Sequence, residues 1–106
     1  MALTREYKAT VQARIKRDPA FAKALYAEAL DAILDGETAE GLSILRDLVH
    51  AEITFKELAR QTGCNEKSLH RILSTDGNPT ARTLAKIVAA IRENLGYVPH
   101  VKVAMA

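Results

Sequence analysis

Residues 64–80, CNEKSLHRILSTDGNPT, put a thiol, an imidazole, several hydroxyls and the cations Lys67 and Arg71 within a few turns of chain. Such a set could bind a metal, perform nucleophilic catalysis or meet a polyanion. Cys64 and His70 are six residues apart, which is about 600° around an α-helix, so they do not share a face. The chain has one cysteine, and His50 and His100 show no ligand spacing, so a zinc site is not expected. Ser68 and His70 diverge on a helix, and neither a glycine-rich phosphate loop nor a paired-carboxylate cleft is evident. An RNA-cleaving enzyme is therefore the disfavoured alternative. No catalytic residue, metal or cofactor is expected.

The polyanion remains. On a helix over 65–74, Leu69, Ile72 and Leu73 turn inward, leaving Asn65, Glu66, Lys67, Ser68, His70, Arg71 and Ser74 outside. A helix with that outer face fits the major groove of DNA. Arg71 and Lys67 can donate to guanine O6 and N7, and Glu66 can accept from cytosine N4. Asn65 and Ser68, near the helix start, suit phosphate, helped by the helix dipole. His70 suits base or phosphate. The competing reading is a solvated polar face on a packing helix.

The flanking elements decide between these readings. Thr54-Phe55-Lys56-Glu57 has the spacing of a capping box and opens a short helix to about Thr62. Gly63 supplies a left-handed C-terminal residue and Asn65 caps the next start, so a turn of about three residues joins two short helices. Steep crossing through a tight turn needs a small residue at Ala59, positive φ at Gly63 and apolar groups at Leu58, Cys64, Leu69 and Ile72. All six positions comply, and the pattern predicts a helix-turn-helix over about 54–74.

Upstream, Asp18-Pro19 opens a helix through Phe21, Leu25, Tyr26, Ala29, Leu30, Ile33 and Leu34, which ends at Gly36. A second starts near Thr38 and carries Leu42, Leu45, Leu48 and Val49 on one face. Downstream, 74–79 is a loop, and Thr80 caps a last helix through Leu84, Ile87, Val88, Ile91 and Leu95 to Gly96. The segment after it, YVPHVKV, has partly alternating β-branched residues and reads as a short edge strand.

A length of 106 residues, 48% of them hydrophobic, suits one core. The expected fold is an all-α domain of about five helices, organised as a basic, partly disordered tail over 1–17, a helical domain over 18–96 and a C-terminal strand and tail over 97–106. The single cysteine, the absence of an apolar run near the roughly 20 residues that cross a bilayer, and a start unlike a signal peptide point to the cytoplasm and away from membranes. Charge is ordered. Residues 1–17 hold five Lys or Arg against one Glu, 18–50 hold seven acids against two bases, and 51–106 hold eight bases against five acids. That order suits one face for a polyanion and another for a basic partner.

The stretch from 45 to 103, with LRDLVHAEITFKELARQTG, KSLHRILS, DGNPT, TLAKIVAAI and a closing LG, resembles the HigA-like addiction-module antidote proteins of the Xre/Cro helix-turn-helix class. DPAFAKALYAEALDAILDG resembles that family's N-terminal helix, and Gly77-Asn78-Pro79-Thr80 after the recognition helix is the most specific piece. The resemblance implies a lambda-repressor-like domain with an extra N-terminal helix. It further implies a dimer that binds the operator of its own operon and neutralises a RelE/HigB-like, ribosome-dependent mRNA-cleaving toxin. In that family's terms, Glu66, Lys67 and Arg71 read bases, while Asn65, Ser68 and Arg82 anchor phosphates. Such toxins are basic, and the acidic stretch 18–47 is the complementary surface, with Phe21, Leu25, Tyr26 and Leu30 either toxin contacts or core. A two-fold pair of recognition helices matches half-sites one DNA turn apart, and the tail strand around Val101–Val103 could pair with its twin. A solitary Xre/Cro-type transcription regulator is the alternative.

Overall fold

The computed structural model describes residues 5–106, with the side chains of Arg5 and Glu6 left aside. Six helices follow in order: α1 Arg5–Arg17, α2 Pro19–Leu34, α3 Thr38–Glu52, α4 Phe55–Thr62, α5 Glu66–Ile72 and α6 Ala81–Leu95. Side-chain caps start four of them. The Asp18 carboxylate accepts from the Phe21 amide at 3.1 Å with Pro19 in the first turn, Thr54 serves α4, Asn65 serves α5, and the Thr80 hydroxyl accepts from Thr83 at 3.1 Å.

The core runs through all six helices. Ile15 of α1, Tyr26 and Ala29 of α2, Leu42, Leu45, Leu48 and Val49 of α3, Phe55 and Leu58 of α4, Leu69 of α5, Leu73 beyond it, and Ile87 and Ile91 of α6 form one buried cluster. The apolar stripe of α3 is its axis: α3 packs against α1 and α2 on one side and against α4 and α6 on the other. Burying each such aliphatic side chain contributes about 1.5–3 kcal/mol, far more than helix propensity does in elements this short.

Three expectations need correction. Residues 5–17 of the supposed basic tail form α1, held by Ile15, which is 1% exposed, and by half-buried Val11; residues 1–4 lie outside the described part. The signal was a sparse stripe, Tyr7, Val11 and Ile15 at four-residue spacing, hidden among cations that are themselves good helix formers. The strand after α6 is not formed, and no strand occurs among the described residues. Pro99 cannot donate a ladder hydrogen bond, and a lone β-branched segment needs a partner strand to satisfy its backbone; Val101, Val103 and Met105 are left exposed. The capping box at Thr54 is half made. The Thr54 hydroxyl accepts from the Glu57 amide at 3.2 Å, but the Thr54 amide donates to the Val49 carbonyl at 2.7 Å. Glu57 is thereby released to other partners. Thr54 sits at φ 87°, a strained value for a β-branched residue.

Candidate nucleic-acid interface

Gly63 makes the corner between α4 and α5. Its φ of 74° is left-handed, its amide donates to the Ala59 carbonyl at 3.0 Å, and the Cys64 amide then donates to the Thr62 hydroxyl at 3.3 Å. This ends α4 and redirects the chain within three residues, as the sequence predicts. Asn65 starts α5 by accepting from the amides of Lys67 at 2.9 Å and Ser68 at 3.3 Å. Its carboxamide oxygen is therefore committed to the helix, and its NH₂ group is what remains for a ligand.

Leu69 and Leu73 are fully buried and Ile72 is half-buried, which fixes the rotation of α5. That rotation leaves Asn65, Glu66, Lys67 and Arg71 exposed and Ser68, His70 and Ser74 half-buried. Glu66, Lys67 and Arg71 make no side-chain hydrogen bond or ion pair with any described residue. Asn65, Glu66, Lys67 and His70 line one shallow concavity. The Ser74 hydroxyl donates to the Arg71 carbonyl at 2.6 Å and so closes the end of the helix. Gly77 follows at close range: a Cβ there would stand 1.8 Å from the Ile72 carbonyl oxygen. The glycine is required by this approach and not by positive φ. Arg82 is exposed in the first turn of α6.

His70 differs from its expected exposed setting. Its ring stacks on Phe55 with centroids 3.9 Å apart and 13° between planes, and His50 lies 5.9 Å away on α3. Burial, the Arg46 charge and His70 push the His50 imidazole below its ordinary value. The stack ties the outer face of α5 to the core through α4. No sequence spacing announces it, because His50, Phe55 and His70 come from three helices. Cys64 is half-buried at the turn and reduced. Among the described residues, no group of three or more His, Cys, Asp or Glu could hold a metal ion, and no helix is long and apolar enough to cross a membrane.

The supporting helix α4 is tied down by polar groups that sequence reading also missed. The Arg60 Nε donates to both Glu57 carboxylate oxygens at 3.0 Å, and its terminal nitrogen pairs with the same group. Gln61 donates to Glu57 at 3.0 Å, and the Asn94 amide of α6 donates to Gln61 at 2.8 Å and to the Ala90 carbonyl at 2.7 Å. Arg60 and Gln61 hold the Glu57 carboxyl down to about 2.

Phe21 and Leu25 pack against the core, and Arg14 lies 4.0 Å over the Phe21 ring. Tyr26 is 3% exposed, its hydroxyl has no hydrogen-bond partner among the described residues, and burial raises its pKa. With Leu30, Leu34 and the segment after α6, it lines a groove of about 500 Å³. The four candidate toxin contacts thus separate: Tyr26 and Leu30 border an open groove, and Phe21 and Leu25 do not.

The short α4, the glycine corner and an α5 with unpaired donors and acceptors along its outer side have the arrangement of a helix-turn-helix. Comparison with curated proteins and comparison with solved structures each gave no significant match. Residues 44–96, half of the chain and the part that holds α4, the corner, α5 and α6, match the family model of the Cro/C1-type helix-turn-helix DNA-binding domain. The chain belongs to that family, and it is a DNA-binding transcription regulator.

Proposed function

We propose that the chain is a sequence-specific repressor that docks α5 in the major groove, and that it serves as the antitoxin of an addiction module. The observation that carries the DNA-reading part is the unpaired set Glu66, Lys67 and Arg71 on the solvent side of a helix whose rotation is fixed by Leu69 and Leu73. Arg71 and Lys67 read guanine edges in this account, and Glu66 reads cytosine. Asn65 through its NH₂, Ser68 and Arg82 hold phosphates, with His70 beside them. The protein works as a two-fold dimer, because one short helix meets only a few base pairs and paired half-sites one turn apart supply the rest. It performs no catalysis of its own.

The antitoxin part is supported by the resemblance of residues 18–103 to HigA-like antidotes and by the groove beside α2. The groove offers a toxin apolar surface at Leu30, Leu34 and Val98 and an orphaned tyrosine hydroxyl, while its charged lining is mixed, with Asp31 beside Lys23 and Lys102. A solitary regulator is the second reading, favoured by the packing of Phe21 and Leu25 into the core. Co-expression with the product of each adjacent small reading frame, followed by size exclusion, separates the two. A stoichiometric complex that restores growth supports the antitoxin; operator binding with no retained partner leaves the solitary regulator.

A further inference from the structure

Two of the chain's three histidines share one aromatic ring. His70 of α5 stacks on Phe55 with centroids 3.9 Å apart and 13° between planes, and His50 of α3 meets the same ring at 4.6 Å and 56°. The two imidazoles lie 5.9 Å apart. Phe55 is 3% exposed, so the ring that carries both is fixed in the core, while each imidazole is half-buried. His70 also lines the concavity on the outer side of α5, together with Asn65, Glu66 and Lys67. An imidazole therefore borders the reading surface, oriented by a core phenylalanine of the supporting helix.

The surroundings decide which ring can carry a proton. At this separation a charge on one imidazole opposes a charge on the other, so the pair holds one proton readily and two with difficulty. His50 is the poorer holder: burial, Arg46, His70 and Lys8 push it down, with Asp47 opposing. His70 has Glu66 and Lys67, of opposite sign, one helical turn before it, and α4 faces it with the uncharged Phe55 ring. The face of an aromatic ring attracts a cation. A phosphate brought to the concavity adds a negative charge beside His70, and a hydrogen bond from imidazolium to phosphate is charge-assisted.

We infer that His70 is a proton-linked DNA contact, an imidazole set against Phe55 that takes up a proton from solvent as the phosphate backbone docks on α5 and holds that backbone as the imidazolium. The bound state then carries an extra proton, so affinity rises as pH falls through the histidine range. The inference rests on DNA binding by α5, and its test separates the two.

The test uses the full chain and the variants His70→Gln, His50→Gln and His100→Gln. The probe is a duplex of random sequence spanning several DNA turns, titrated at one salt concentration across the histidine range. The heat of binding in two buffers of different ionisation enthalpy counts the protons taken up. The inference predicts a wild-type affinity that rises by up to about tenfold for each chain bound as pH falls from about 8 to about 5.5. Proton uptake should vanish in His70→Gln and persist in His50→Gln and His100→Gln. Uptake that survives His70→Gln, or that disappears in either other variant, overturns it. If His70→Gln has lost its cooperative thermal transition, the His70 ring resonance of the wild type is followed against pH with and without duplex. Its protonation must move to higher pH when duplex binds, and an unmoved midpoint overturns the inference. A wild-type chain that binds no duplex defeats the DNA reading itself and the proton link with it, whereas duplex binding that ignores pH leaves that reading standing and overturns the link alone.

Discussion

α4 and α5 stand side by side in sequence and spend their polar groups in opposite ways. On α4, Glu57 accepts from both Arg60 and Gln61, and Gln61 in turn bonds Asn94 of α6, so these three polar groups are used within the protein and exposed Lys56 stands outside the network. On α5, Glu66, Lys67 and Arg71 have no partner among the described residues. An internal network rigidifies, whereas unpaired groups on a fixed helix are available to a ligand without first breaking a bond. Polarity alone would not tell the two helices apart. What distinguishes support from reader is where the donors and acceptors are already used.

The sharpest way to break the contrast is to release the reader from its foundation. Leu69→Ala removes a fully buried side chain under α5 and should cost about 2–5 kcal/mol in urea unfolding, with DNA binding lost in parallel. A cost below about 1 kcal/mol would mean that α5 is not held by its apolar side. Next, Arg71→Ala should cost about 1–3 kcal/mol on a selected sequence and flatten preference at one base position while leaving the urea midpoint in place. Gln61→Ala on α4 should do the reverse, lowering stability by about 1 kcal/mol with base preference intact. A changed preference in Gln61→Ala would place α4 among the readers.

The smallest effects are those of pH. His50 has its folded pKa pushed below the ordinary value, so the unfolded chain takes up its proton first. Stability should be flat above about pH 6.5, decline as pH falls through that value, and level off below the folded pKa. His50→Gln should remove that step, and an unchanged step would assign it to another group. Glu57, held down to about 2 by Arg60 and Gln61, acts in the acid range. Its contribution is present above the ordinary glutamate range and disappears as pH falls through about 2. Because the pair is exposed, Glu57→Gln should leave stability near neutrality almost unchanged.

Much of the fold is legible in local chemistry. Asp18-Pro19, Asn65, Thr80 and Gly63 each place a helix end through a bond made within four residues, and apolar spacing sets which side is buried. The outward set on α5 follows from the same spacing. The errors fall where a distant partner decides. α1 depends on Val11 and Ile15 finding α2 and α3, the Glu57 half of the capping box is lost because the Thr54 amide is taken by the Val49 carbonyl of the preceding helix, and the segment after α6 has no neighbouring strand among the described residues. The stack of His70 on Phe55, with His50 beside both, joins three helices, and no single stretch of sequence contains it.

The central claim is that the free side chains of α5 read base sequence. Selection from a pool of random duplexes, run in parallel with the wild-type chain and Arg71→Ala, tests it directly. The account predicts one enriched sequence for the wild type, with two related half-sites, and the same sequence relaxed at a single position of each half-site for the variant. Enrichment of no sequence by the wild type, or an identical sequence bound more weakly by the variant, would contradict base reading by Arg71 and return it to the phosphate contacts.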